Sequence, residues 1–224
     1  MSDSQANHYQ AGISDPQRPI AQSVKTLFDY QQQVNLLEQQ NRWQDLERLC
    51  SEAIQLYPNL PRFYHLLGDA KLNLQRWAEA VVAYQSAIAL DATFSWSHNN
   101  LGDALSQLQR WQEAVTAYQE AINLKDDFFW SYYNLGEALS QLNRWEEAVT
   151  AYRQAHVLAP ENLEVAKKMV NYFPNEIEFY FTLSQVLARN NDLDQALVVC
   201  RMGLNIQPNH SSGLKLERAI LSHR

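Results

Sequence analysis

The sequence predicts an all-α fold, a solenoid of stacked helical hairpins. Three observations predict it. The first is a fixed period: residues 95–128 written above residues 129–162 match at 20 of 34 positions. Gly102 recurs as Gly136, Trp111 as Trp145, Tyr118 as Tyr152 and Ala121 as Ala155. A period of this size marks an architecture in which each unit buries its apolar face only against its neighbours. The second is helical spacing inside each unit: Leu101, Gly102, Leu105 and Leu108 fall at three- and four-residue steps, on one face of a helix. The third is punctuation. Tyr57-Pro58, Ala159-Pro160 and Gln207-Pro208 end their units, because proline disfavours helix at the residue before it.

Taken in order, residues 1–20 are polar, carry Pro16 and Pro19, and show no period, so they read as a disordered or loosely held lead. The repeating array spans 21–224. Its units are Leu27–Leu60, Pro61–Phe94, Ser95–Phe128 and Phe129–Asn162. The frame then slips by 14 residues, 163–176, and resumes with Ile177–His210. Residues 211–224 read as a C-terminal capping helix. In the third unit helix A is expected from about Trp96 to Leu108 and helix B from about Gln112 to Asn123. The slip has helical spacing at Leu163, Ala166, Met169 and Val170 before Pro174, and reads as an inserted spacer helix that bends the stack.

The unit pattern resembles the tetratricopeptide repeat, a helix–turn–helix family of this period. The fourth unit supplies Tyr132, Leu135, Gly136, Trp145, Ala148, Tyr152, Ala155 and Pro160 at the family's pattern positions. The second supplies Tyr64, Leu67, Gly68, Trp77, Ala80, Tyr84 and Ala87. The end units depart, at Val34, Leu46 and Cys50 and at Ser184, Cys200 and Gly203, as terminal repeats do. The resemblance covers about 170 residues. It implies a right-handed superhelix whose A helices line a concave groove.

Composition narrows the function. The formal charge of −7 disfavours nucleic acid or an anionic membrane as partner. The chain lacks the long apolar run a membrane span needs, and its first residues lack a signal-peptide pattern, so a cytoplasmic location is expected. There is no phosphate loop, HExxH, CxxC or Gly-x-Ser-x-Gly motif, so no catalytic residue, metal site or cofactor is expected. Cys50 and Cys200 hold equivalent places in their units and read as small packing residues. Arg-Trp recurs in four turns, from Arg42-Trp43 to Arg144-Trp145, and reads as a structural plug.

The resemblance places the binding groove on Arg62, His65, Asp69, Trp96, Asn99, Asn100, Asp103, Trp130, Tyr133, Asn134 and Glu137. Aromatic plates and amides suit an extended peptide, and the row Asp69, Asp103, Glu137 suits a basic one. Asn100 and Asn134 look like the backbone-gripping asparagines of glycosyltransferase arrays. The carboxylate-clamping kind of array needs Lys and Asn where Asn99 and Asp103 stand, so that ligand is not expected. The function read from this is a non-catalytic scaffold holding a partner protein or an extended or basic peptide. The alternatives are the interaction arm of a glycosyl-, sulfo- or methyltransferase, and a self-associating module.

Overall fold

The computed structural model describes residues 25–223. The lead at 1–20 and Arg224 lie outside the described residues. Twelve α-helices and no strand occur among those described. They are α1 Leu27–Gln39, α2 Trp43–Leu56, α3 Pro61–Asn73, α4 Trp77–Leu90, α5 Ser95–Gln107 and α6 Trp111–Leu124. There follow α7 Phe129–Gln141, α8 Trp145–Leu158, α9 Leu163–Tyr172, α10 Ile177–Arg189, α11 Leu193–Ile206 and α12 Ser211–Ser222. Each helix packs on the next, and α3, α5 and α7 also lie side by side.

Every hairpin turn uses the same device. Asn41, Gln75, Gln109, Asn143 and Asn191 sit in the left-handed region, with φ between 53 and 62°. In each, the amide of this residue and that of the next bond back into the preceding helix, as Gln109 N to Ser106 O at 2.9 Å and Arg110 N to Leu105 O at 2.9 Å. These paired bonds satisfy carbonyls that a helix end leaves open. In four of the five turns the following residue is an arginine that reaches forward to a carboxylate in the first turn of helix B. Arg110 meets Glu113 at 2.6 Å and Arg144 meets Glu147 at 2.6 Å.

The seam between helices A and B is set by glycine against tyrosine. A Cβ on Gly68 would lie 2.5 Å from the Tyr84 ring, and one on Gly102 would lie 2.5 Å from the Tyr118 ring. Both rings are fully buried. The end units change this size relation. Val34 stands where Gly68 stands in the next unit, and Cys50 replaces its tyrosine; Ser184 and Cys200 take these places at the far end. All four are fully buried. In the first unit the larger residue in helix A and the smaller one in helix B roughly conserve the volume of the seam, which is how cores tolerate substitution. Burial pushes the Cys50 thiol up to about 12 and raises that of Cys200, so both stay protonated.

The packed interior falls into three apolar clusters. One joins α1, α2 and α3 around Tyr30, Cys50 and Phe63. The middle one runs from Tyr84 through Tyr118 and Tyr152 to Met169 and Phe179. The third joins α10, α11 and α12 around Phe181 and Leu197.

The slip holds a helix, α9, whose register continues that of the earlier A helices. Leu163 stands 34 residues after Phe129, so Lys168 stands where Asn134 and Asn100 stand in earlier units. Tyr172 stacks on Tyr152 at 6.0 Å and Phe173 meets Phe179 at 6.0 Å. Pro174 ends this helix early, and α10 begins without the usual second helix between.

Candidate functional site

The A helices α5 and α7 and the ends of α3 line a concavity of about 960 Å³. Eight of the eleven residues expected in a groove line it: Trp96, Asn99, Asn100, Asp103, Trp130, Tyr133, Asn134 and Glu137. Arg62, His65 and Asp69 do not. Arg62 is exposed one unit away, while His65 is buried.

In the acid row, read above as suited to a basic peptide, each carboxylate is a junction between units. Tyr84 Oη donates to Asp69 Oδ1 at 2.7 Å, and Asn100 Nδ2 of the next unit donates to the same oxygen at 2.9 Å. Tyr118 Oη and Asn134 Nδ2 do the same to Asp103 Oδ1, at 2.7 and 2.8 Å. Tyr152 Oη donates to Glu137, and Lys168 Nζ of α9 meets its other oxygen at 2.9 Å. The three acids, three tyrosines and three cross-unit donors form one ladder. Each donor removes a desolvation cost that a buried carboxylate would otherwise carry. At Asp103 burial still outweighs its hydrogen bonds, and its carboxyl is pushed up to about 6. Asn100 and Asn134 are therefore donors to the ladder and not free rungs.

A second set of contacts backs the first. His65 Nδ1 lies 3.0 Å from Ser97 Oγ, and its Nε2 lies 3.2 Å from Asp69 Oδ2. The order serine, histidine, aspartate is that of a nucleophilic relay. Here it links units and reaches no substrate, because Ser97 is fully buried and its hydroxyl faces α3. Burial lowers the His65 pKa, which keeps the ring neutral. One unit on, Asn99 replaces the imidazole and accepts from Ser131 Oγ at 3.0 Å. Among the described residues no cluster of three His, Cys, Asp or Glu is placed to hold a metal ion, and no helix is long and apolar enough to cross a membrane.

What the concavity does expose is aromatic and amide surface. Trp96 is 42% and Trp130 50% exposed. Trp96 leans on Phe128, ring centres 4.3 Å apart, and Trp130 stands edge-on to Tyr133 at 5.8 Å. Trp77 and Trp111 line the same concavity, so they are more than plugs beneath the turn. Sequence reasoning missed them as groove residues, although their equivalence at a spacing of 34 was the available signal. The same lining carries Gln75, Gln107, Gln109 and Gln141, all exposed.

Two comparisons bear on this geometry. Models of the tetratricopeptide repeat match residues 68–109, 102–143 and 129–162. No curated protein sequence matches the chain. Among solved structures, the chain is similar to YrrB, described as a TPR protein with an unusual peptide-binding site, at 17% identity, covering 86% of this chain and 92% of that one, TM-score 0.55. It is similar to MamA from Desulfovibrio magneticus RS-1, at 17% identity, covering 81% and 95%, TM-score 0.55. It is similar to the TPR domain of Arabidopsis OM64, at 24% identity, covering 51% and 94%, TM-score 0.50. At these identities the structures testify to the fold. The repeat models match residues 68–162, and the same glycine–tyrosine hairpins are packed in sequence there, so the central units of the chain are tetratricopeptide repeats.

Proposed function

We propose that the concave face of the middle units binds an extended segment of a partner protein, without catalysis. One observation carries this reading: half-exposed Trp96 and Trp130 and exposed glutamine amides line a single concavity of about 960 Å³. Indole rings give large contact area at small entropic cost, and amides both donate to and accept from a peptide backbone. The description of YrrB as peptide-binding supports such use of this fold. Of the two properties expected of the segment, extension is kept. A basic charge loses its support, because Asp69, Asp103 and Glu137 are already bonded within the protein. An interaction arm of a larger transferase would use the same contacts.

The test is selection of random peptides displayed on phage, panned on the wild-type protein and counter-screened on Trp96→Ala/Trp130→Ala. Peptides that survive are expected to bind the variant about tenfold or more weakly, the cost of losing two buried rings. Circular dichroism should show an unchanged fold. Selected peptides that bind both proteins alike would sink the groove as the binding face.

A further inference from the structure

We propose that the segment this groove takes is an uncharged, proline-containing strand in the polyproline II conformation, with a proline at every third residue. The inference rests on the groove reading above and names the ligand's chemistry.

The first argument is spacing. Trp96 and Trp130 are equivalent residues of adjacent units, and so are Trp77 and Trp111. All four line the one concavity. It therefore has two series of indoles, each recurring once per unit. The A helices that carry the first series, α5 and α7, pack side by side. Packed helices stand about 8–10 Å apart. A polyproline II strand has three residues per turn and rises about 3.1 Å per residue, so its turn of about 9 Å matches that step. Residues three apart then meet successive indoles of one series. Proline presents a flat, rigid ring suited to an indole face, and such strands are recognised by aromatic-lined grooves elsewhere.

The second argument is the backbone. A polyproline II strand makes no internal hydrogen bonds, so its carbonyls need donors along the whole length. Gln75, Gln107, Gln109 and Gln141 are exposed on the lining and are tied to no other side chain among the described residues. Prolines have no N–H, and a donor-rich amide fringe suits a ligand that is mostly acceptor.

The third argument is charge. No lysine or arginine lines the concavity, and its only carboxylates are Asp103 and Glu137. Glu137 is neutralised by Lys168 at 2.9 Å, and Asp103 already accepts two hydrogen bonds. A charged segment would find no free partner here and would lose hydration on entry.

The experiment uses the full chain and four fluorescent twelve-residue peptides, read by anisotropy. The first is Pro-Gln-Ala repeated four times. The second has the same composition with prolines at every second or fourth residue. The third replaces every proline by alanine, and the fourth replaces every glutamine by lysine. The first is expected to bind about tenfold or more tightly than the second and third, with little salt dependence. Trp96→Ala and Trp130→Ala should each weaken it. If the alanine peptide binds as well as the first, and the tryptophan variants weaken it too, the proline inference falls while the groove reading stands. A lysine peptide that binds best, and is released by salt, overturns the uncharged ligand. No binding by the first peptide also overturns the inference, and the phage selection then judges the groove alone.

Discussion

Replacing Gly102 by alanine is the sharpest test of the hairpin seam, because the two physical effects have opposite signs. In an open helix the change gains about 1 kcal/mol of helix propensity. Here the new methyl would sit 2.5, 2.7 and 2.8 Å from three atoms of the Tyr118 ring. Carbon contacts are comfortable from about 3.5 Å, so the ring must retreat by roughly 1 Å. It is held at its far end, where its hydroxyl donates to Asp103 at 2.7 Å and lies 3.2 Å from Ser106. Overpacking of this kind costs about 1–3 kcal/mol, and weakening the bond to a carboxylate adds to it. The expected net loss is about 1–2 kcal/mol, or roughly 2–8 °C in melting temperature for a chain of this size. In a Tyr118→Cys background, which imitates the Cys50 and Cys200 units, the ring is gone and the same alanine should turn stabilising. Thermal melts of the four proteins form the cycle. A melting temperature raised by Gly102→Ala in the wild-type background, or the same sign in both backgrounds, would refute the reasoning.

Three further outcomes are expected. Gln75→Gly should raise the melting temperature, since a left-handed non-glycine residue at φ 59° costs about 1–2 kcal/mol, partly offset by the entropy glycine adds to the unfolded chain; a fall would mean the Gln75 side chain stabilises the turn. Asp103 has a folded pKa near 6, above its unfolded value, so the stability it confers is full at low pH and is lost as pH rises through about 6. Asp103→Asn keeps an acceptor for Tyr118 and Asn134 and should be on the order of 1–3 kcal/mol more stable than wild type near neutral pH, with a flatter profile between about pH 4 and 6; parallel profiles in chemical denaturation would contradict the burial of that carboxyl. Asp103→Lys, by contrast, should destabilise the stack, because an ammonium there would face two donors, the Tyr118 hydroxyl and the Asn134 amide; an unchanged melt would return the acid row to the solvent.

The all-helical stack was legible because its cause is local and repeated. Tyr84 and Tyr118 opposite Gly68 and Gly102 recur at one spacing, and a residue pair that must fit sterically leaves the same mark in every unit. The ladder was not read, although it too has a period. Each acid stands 15 residues before its tyrosine and 31 before its cross-unit donor, and such offsets acquire meaning only when helices of neighbouring units are laid side by side. The acids therefore read as groups for a basic ligand. The role of α9 was hidden for a different reason: it lacks the Leu-Gly pair and stops at Pro174, so only Lys168, in the asparagine's place, betrays its kinship. Trp96 and Trp130 were read as groove plates and do line the concavity, but position in sequence could not say how much of each ring the neighbouring Phe128 and Tyr133 would cover.

The ladder also makes part of this chain copyable. Asp69 and Asp103 each take their cross-unit amide from an asparagine at the same offset, Asn100 and Asn134. If residues 95–128 were duplicated in tandem, Asp103 of the first copy would meet Asn100 of the second, the same group at the same distance along the chain. The new Tyr118 ring would find a new Gly102 beneath it, and the glutamine fringe would lengthen by one step. Nearest-neighbour stacking would then add the stability of one unit and one interface. An insertion within the ladder that is not a whole number of units would strand a carboxylate without its donor. Length in this protein is thus quantised: growth by whole units preserves every rung, and growth by fractions of one does not.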